Sequence, residues 1–362
     1  MAIYLTGYLT ICFFSWLSLD VSVSSNVKKW MFFFVATLLL FFCAARGVID
    51  RDHQSYLNIY KHIIDGVDLL IEPTFYFFSY ISSWLTDGPQ LIFIIYALLG
   101  LSLKFYSIRK FSVFPLVSVL IYFSNYYFLH EMTQIRVGVS VSLALIAITN
   151  WFGGNKKNFF IIIFLSLLFH YSALIFLMVP LVSKERVHKK EMFFYTCLIV
   201  FLYALYVVNF GFARVFSYIP IGYVQEKFSI YYEKTRLGEV DAVNAFSVMQ
   251  LIRLIIIYLV CFFCPKECYA DKFFNVMLRF YIFSAICWVM FFDIPVFAVR
   301  LSEILGVAEI FVIPYIIYVS RKKYIGLIVI SLITAMMFFV NIYYSKLMLP
   351  YVPFWAESFY YS

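Results

Sequence analysis

Residues 46 to 72 hold Arg46, Asp50, Arg51, Asp52, His53, Tyr56, Lys61, His62, Asp65, Asp68 and Glu72, in a chain of which only 13% is charged. Neighbouring carboxylates such as Asp50 and Asp52 can have their proton affinities pushed apart, so that one serves as a general base. Glu72 is a third candidate for that work, and a set of solvated loop charges is the plain alternative. Arginine is the second signal. Arg136 opens a long apolar run in Thr133-Gln134-Ile135-Arg136-Val137-Gly138, where a cation opposes the helix dipole. An anion held by the guanidinium and by free N–H groups would remove the conflict, and so would an arginine reaching to headgroup phosphates. Arg253 lies inside an apolar stretch, a costly place for a charge, and is expected to meet either a phosphate or an acid such as Glu309. Arg300, in Asp293-x6-Arg300-x2-Glu303, is either a further anion contact or half of a local ion pair. His170, in Phe169-His170-Tyr171-Ser172-Ala173, titrates near neutrality and could move a proton or steer a hydroxyl; a core histidine with its hydrogen bonds met is the ordinary reading. These types suit a site that holds an anion and takes up a proton.

The elements that must position them are membrane helices. At 64% hydrophobic and 22% aromatic, with mean hydropathy +0.90, the chain exceeds the roughly half-apolar share of water-soluble globules. An all-α polytopic integral membrane protein is expected, with a single membrane domain over 1–362. Candidate spans are 2–19, 30–45, 91–108, 115–129, 137–151, 159–169, 172–183, 192–208, 246–263, 273–292, 304–319 and 325–345, about twelve, several shorter than the roughly 20 residues a perpendicular helix needs. The pair 159–169 and 172–183 is divided at His170, because a histidine in mid-span is costly. Residues 73–86 read as a re-entrant or interfacial helix begun by Pro73. Residues 2–19 lack a basic lead and a small-residue cleavage site and read as a retained span. The larger loops are 46–90 and 209–245; the second carries Tyr218, Tyr223, Tyr231 and Tyr232, either platforms for sugar rings or an interfacial tyrosine belt.

Alternating the spans gathers Lys28, Lys29, Lys104, Arg109, Lys110, Lys156, Lys157 and the basic runs near 184–190, 266–272 and 321–323 on one face, cytoplasmic by the positive-inside rule. Both termini then face outward. The opposite face holds Arg46, Arg51, Arg136 and Arg300, most carboxylates, and His53, His62, His130 and His170. Lysine dominates inside and arginine outside. Arginine offers a fixed fork of donors for phosphate, so its preference there points to an anionic ligand. The cysteines fall mostly in apolar runs, which argues against a disulfide framework. Cys261, Cys264 and Cys268 have a metal-like spacing but no accompanying ligand set, and packing is the preferred reading. Nucleotide-binding glycine loops, zinc-protease spacings and a serine nucleophile elbow are absent from the sequence, and no basic patch suits nucleic acid.

The motifs resemble the EpsG-type branch of the Wzy polysaccharide polymerases, the O-antigen polymerases of bacterial inner membranes. That family carries an Arg six residues before an Asp and a Tyr four further on, as in Arg46, Asp52 and Tyr56. Glu-Pro-Gly-Phe follows, here Glu72-Pro73-Thr74-Phe75; then Ile-Arg-Gln, here Ile135-Arg136-Val137; then Phe-His-x-Ser-Ala, intact as Phe169 to Ala173. The matches run over residues 44–175. Asp50, His53, Thr74 and Val137 stand where the family has Gly, Tyr, Gly and Gln. The resemblance implies a GT-C-like glycosyltransferase that needs no cofactor, metal or nucleotide sugar. It would move glycan from undecaprenyl pyrophosphate onto a new lipid-linked repeat unit at the periplasmic face, with a chain-length-regulating co-polymerase as a partner. Asp52, Asp50, Glu72 or His170 would take the proton, and Arg46, Arg136, Arg253, Arg300 and Tyr56 would hold substrate and pyrophosphate. A lipid-linked oligosaccharide flippase and an O-antigen ligase are the alternatives.

Overall fold

The computed structural model describes residues 1–86, 88–212 and 243–359, with Ile230, Glu233 and Leu237 between them. Among the described residues the named elements are all helices, and the only extended pairing is two isolated bridges. In chain order they are α1 (Ala2–Leu19), α2 (Ser25–Ala44), α3 (His53–Ile64), α4 (Pro73–Leu85), α5 (Gln90–Phe111), α6 (Pro115–Tyr122) with a π-helical continuation over Phe123–Thr133, α7 (Ile135–Phe152), α8 (Lys156–Phe169), a 3₁₀ segment Tyr171–Leu181, α9 (Lys189–Val207), α10 (Val248–Phe263), α11 (Lys272–Met290), α12 (Pro295–Gly306), α13 (Glu309–Val312), α14 (Ile316–Val319) and α15 (Lys323–Phe339). Among them, seven helices are long and apolar enough to cross a membrane: α1, α2, α5, α7, α9, α11, and α15 with its π-helical extension to Tyr344. This is a polytopic membrane protein. The remaining expected spans take shorter forms, as with the 14-residue α8. The stretch 304–319 is broken into α12's end, α13, a turn of 3₁₀ at Ile313–Tyr315 and α14, because Pro314 can neither donate a helical hydrogen bond nor clear the preceding turn.

The described residues fall into two compact units, one of Met1–Leu181 with Ser320–Ser362, the other of Val182–Val319. In the first unit α1 shows how sequence selects a face. Its buried residues Tyr4, Tyr8, Ile11, Ser15 and Leu19 recur every three or four positions, while Leu5, Leu9 and Phe13 stay exposed, as suits a helix between protein and lipid. The polar members of the buried face find partners: Ser15 Oγ donates to the Leu116 carbonyl at 2.9 Å and Tyr8 to that of Ser331 at 2.9 Å. Helices α5, α7 and α8 approach closely through small residues, the usual device where lipid supplies no hydrophobic drive. Ser140 and Ser166 exchange hydrogen bonds across α7 and α8 at 3.0 and 2.7 Å, and Ser142 Oγ reaches the Gly100 carbonyl on α5 at 3.2 Å.

Three features of this unit bear on the site. The stretch from 46 to 72 is more than a loop. It contains the amphipathic α3, with His53, Tyr56 and Ile63 buried. Helix α4 starts at Pro73 as expected and is 13 residues long. Helix α8 ends at His170, whose backbone N–H closes on the Ser166 carbonyl, so the expected division there is seen. Residues 45–50 are held by the C-terminal segment: Arg46 bridges Pro353, Asp50 bridges Met348, and Phe354 donates to the Ala45 carbonyl at 2.9 Å.

In the second unit α11 is buried nearly throughout, and its Arg279 is gripped by Glu191 of α9 through two parallel hydrogen bonds of 2.8 Å. Tyr195 donates to the same carboxylate at 2.8 Å.

Candidate active site

Glu72 caps the start of α4 from an extended backbone. Its side chain is not spent on the helix. One oxygen, Oε2, takes a charged hydrogen bond from Arg136 Nη1 at the start of α7, and the other, Oε1, lies 3.8 Å from His170 Nε2. The site keeps an open side: the Arg136 and His170 side chains are 21% and 14% exposed, against 6% for Glu72. Aromatic rings support the guanidinium, whose carbon stands 5.6 Å from the Tyr56 ring centroid and 5.8 Å from that of Phe75. Flat rings steady a guanidinium by cation–π attraction without neutralising it. Burial pushes the Tyr56 phenol up to about 12, against the opposing pull of Arg136, so Tyr56 stays a neutral hydrogen-bonding group at ordinary pH.

His170 has a defined tautomer. Its Nδ1 accepts the Ser172 backbone N–H at 3.1 Å, so the neutral ring carries its proton on Nε2, toward Glu72. The family glycine replaced by Thr74 has a visible consequence: Thr74 Oγ1 donates to the Leu168 carbonyl at 2.8 Å and meets the Tyr96 hydroxyl at 3.2 Å. The start of α4 is thereby tied to the end of α8, close to where Glu72 and His170 face each other.

A second charged group lies on the same aromatic wall. Arg46 is fully buried, with its guanidinium carbon 5.0 Å from the Phe93 ring centroid, and His53 stacks on that ring at 4.3 Å. Phe93 in turn meets Tyr56 edge-on at 6.1 Å. Asp50 joins Arg46 and His53, its Oδ2 lying 3.5 Å from both Arg46 Nε and His53 Nδ1, while its Oδ1 accepts the Asp52 N–H at 3.0 Å. Two departures from the family pattern, Asp50 and His53, thus face each other. Asp52 sits half-buried at the start of α3 without capping the helix through its side chain.

The charges between 46 and 72 therefore divide. Arg46, Asp50, His53 and Glu72 are buried, whereas Arg51, Lys61, His62, Asp65 and Asp68 are exposed, Arg51 donating to the Ser345 carbonyl. Arg253 and Arg300 belong to the second unit. Arg253 is half-buried, and its Nη1 donates to Ser302 Oγ at 2.6 Å and Gln250 Oε1 at 3.2 Å; Glu309 and Arg253 both lie within electrostatic reach of Tyr281. Arg300 stands exposed on α12 instead of in a short loop, because Pro295 starts a helix there. Tyr218, Tyr223, Tyr231 and Tyr232 lie outside the described residues.

Sequence reasoning missed a buried polar cluster between α5 and the π-helical segment. Lys104, placed on the cytoplasmic face by its charge, is instead completely buried in α5, as are His130 and, nearly so, Glu131. Lys104 Nζ lies 6.0 Å from the Tyr122 ring centroid. The Cys43 thiol donates to the Glu131 carbonyl at 3.1 Å, and Arg46 Nη1 contacts Cys43 Sγ at 3.4 Å, so this cluster adjoins the Arg46 group. The one signal available was glycine: Gly100 and Gly138 leave the room that the Glu131 carboxylate fills.

The four motif segments thus converge within one unit, through Arg46 and Tyr56, Glu72, Arg136 and His170. Residues 29–353 match the EpsG family. The chain belongs to the EpsG family. No curated protein and no solved structure matches it. Membership in the EpsG family suggests a function of the polysaccharide-polymerase type, carried out in a membrane.

Proposed function

We propose that this EpsG-family protein is a polymerase of a surface polysaccharide such as O-antigen. It would transfer glycan from undecaprenyl pyrophosphate to the terminal sugar of a new lipid-linked repeat unit, at the periplasmic face of a bacterial inner membrane. The observation that carries the reading is Arg136, a ring-supported cation at the open side of the site, with Glu72 and His170 beside it. In the reaction the acceptor hydroxyl attacks the anomeric carbon as the bond to the pyrophosphate oxygen breaks. The leaving group departs with the electron pair, and its growing charge is met by Arg136. The hydroxyl proton passes to a carboxylate, Asp52 or Glu72. Glu72 and Asp50 are each held by an arginine and a histidine, but the Glu72 side chain borders the open side formed by Arg136 and His170, whereas that of Asp50 is 0% exposed, so Asp50 is the poorer candidate. Arg46, fully buried, shapes the wall and does not meet the phosphate directly.

The orientation has its own support. Lys28 and Lys29 begin α2, Arg109 and Lys110 end α5, Lys156 and Lys157 begin α8, and Lys323 begins α15. Arg46, Glu72, Arg136 and His170 lie at the other ends of these helices and of their neighbours. By the positive-inside rule this distribution supports a basic cytoplasmic end and a periplasmic site. The GT-C-like architecture, the full set of about twelve spans and the co-polymerase partner belong to the same proposal.

The test is Arg136→Ala. Loss of one group that stabilises the leaving charge costs about 10²–10³ in rate, so cells should make lipopolysaccharide capped with a single repeat while the protein remains inserted. A normal ladder of chain lengths on a gel would overturn the proposal. Loss of a flippase would remove even the single-repeat product, and loss of a ligase would strand polymer on the carrier lipid.

A further inference from the structure

At the end of the first unit opposite Glu72 and Arg136, the ends of α1 and α5 and the beginnings of α2 and α6 enclose a cavity of about 370 Å³. Lys28, Lys29 and Arg109 line it beside Ser25, and no carboxylate is among its lining residues. Lys28 spends one donor on the Asp20 backbone carbonyl, at 2.8 Å, and also lies within electrostatic reach of the exposed Asp20 carboxylate; Arg109 rests on the Phe33 ring at 4.9 Å, a contact that leaves its charge unneutralised. Three cations drawn to one cavity repel one another. Two helices also begin at its wall. The 20-residue α2 is capped by Ser24 through the Val27 N–H, and α6 starts at Pro115 with no side-chain cap. Each leaves N–H groups and the positive end of its dipole at the cavity. Phe32, one turn beyond Lys28 and Lys29 on α2, and Leu116 of α6 add apolar surface to the same lining.

We infer that this cavity is a binding site for the phosphate headgroup of an anionic membrane phospholipid. The cations and helix beginnings take the phosphate, while Phe32 and Leu116 take the glycerol and upper acyl carbons. Basic pockets between membrane helices recognise anionic headgroups in this way, and the apolar surface is what separates a lipid from free phosphate, which has nothing to place there. The site is independent of the polymerase reading, since it rests on residues remote from Glu72 and Arg136.

The experiment is native mass spectrometry of the full chain in mixed micelles of equimolar phosphatidylglycerol and phosphatidylcholine. Phosphatidylglycerol should be retained in preference, and the triple variant Lys28→Gln/Lys29→Gln/Arg109→Gln should weaken that retention by about ten-fold or more. The variant Lys156→Gln/Lys157→Gln, which removes charge from the same end of the unit but outside the cavity, should leave it unchanged. Three results would overturn the inference: equal retention of the two lipids, equal loss in both variants, or displacement of the bound lipid by millimolar inorganic phosphate. Circular dichroism and melting of the triple variant separate loss of the site from loss of the fold.

Discussion

Glu131 sets its carboxylate against the α-carbon of Gly100, in the space that any side chain at that position would need. Gly138 on α7 meets the same carboxylate from the other side, where an added Cβ would stand 2.9 Å from Glu131 Oε2 and 2.5 Å from the His130 carbonyl. Two glycines on neighbouring helices thus make a slot for one ionisable side chain, with Lys104 as the nearby cation. The π-helical turn over Phe123–Thr133 brings Glu131 into that slot; such turns recur at functional sites, where the wider winding re-aims a side chain.

Gly100→Ala is therefore expected to destabilise the protein even though alanine favours helices. The added methyl overlaps the Glu131 carboxylate, which must turn aside within a buried setting, and overpacking of a filled interior costs about 1–3 kcal/mol. The melting temperature of detergent-purified protein should fall, and Gly100→Ala combined with Glu131→Ala should lose less than the sum of the two single changes. An unchanged melting temperature in Gly100→Ala would show that the slot is not tight.

The second unit offers a cleaner case of a buried charge, with four of the five guanidinium N–H groups engaged. Arg279 is 2% exposed, and besides its two bonds to Glu191 it donates through Nη1 to the Glu185 carbonyl at 2.6 Å and the Asn275 carbonyl at 3.2 Å. Glu191→Gln leaves that guanidinium buried without its counter-charge, a change that costs about 3–5 kcal/mol when a pair is fully enclosed. The Glu191 side chain is 26% exposed, so a loss toward the lower end is expected. Arg279→Lys should not rescue, because a single ammonium cannot reproduce the parallel pair. Urea or thermal unfolding in detergent measures both; wild-type stability in Arg279→Lys would contradict the geometry.

How far the sequence revealed this arrangement depended on whether position along the chain stood in for position in space. The division at His170 and the start at Pro73 were legible, because proline geometry and the cost of a mid-span histidine act locally. Helix α3 was hidden by its charges. Its exposed face, Gln54, Asn58 and Lys61, made the stretch look like a loop, while His53, Tyr56 and Ile63 faced inward at helical spacing. Lys104 was misplaced because counting charges near span ends cannot tell a snorkelling lysine from one turned inward toward an acid 27 positions later. The Glu72–Arg136 pair joins residues 64 apart and has no local signature beyond its motifs. The burial of Arg46 against Phe93 and behind the C-terminal segment that pairs with residues 45–50 was equally out of reach, since that segment lies some 300 residues away along the chain.

The last prediction separates two roles for His170. With Nδ1 accepting the Ser172 N–H, the neutral ring has no free nitrogen lone pair facing the open side, and its Nε2–H points at Glu72. A general base needs a lone pair within reach of the proton it takes. On the polymerase proposal, His170 would then act as a positioning residue for Glu72. Glutamine carries an amide N–H at nearly the reach of Nε2 but cannot act as a base. His170→Gln should keep most of the chain-length ladder, whereas His170→Ala, which leaves Glu72 without its second neighbour, should slow polymerisation by about 10²-fold. Equal loss of the ladder in both variants, with both proteins inserted at normal levels, would restore the proton-transfer role to His170 and remove it from Glu72.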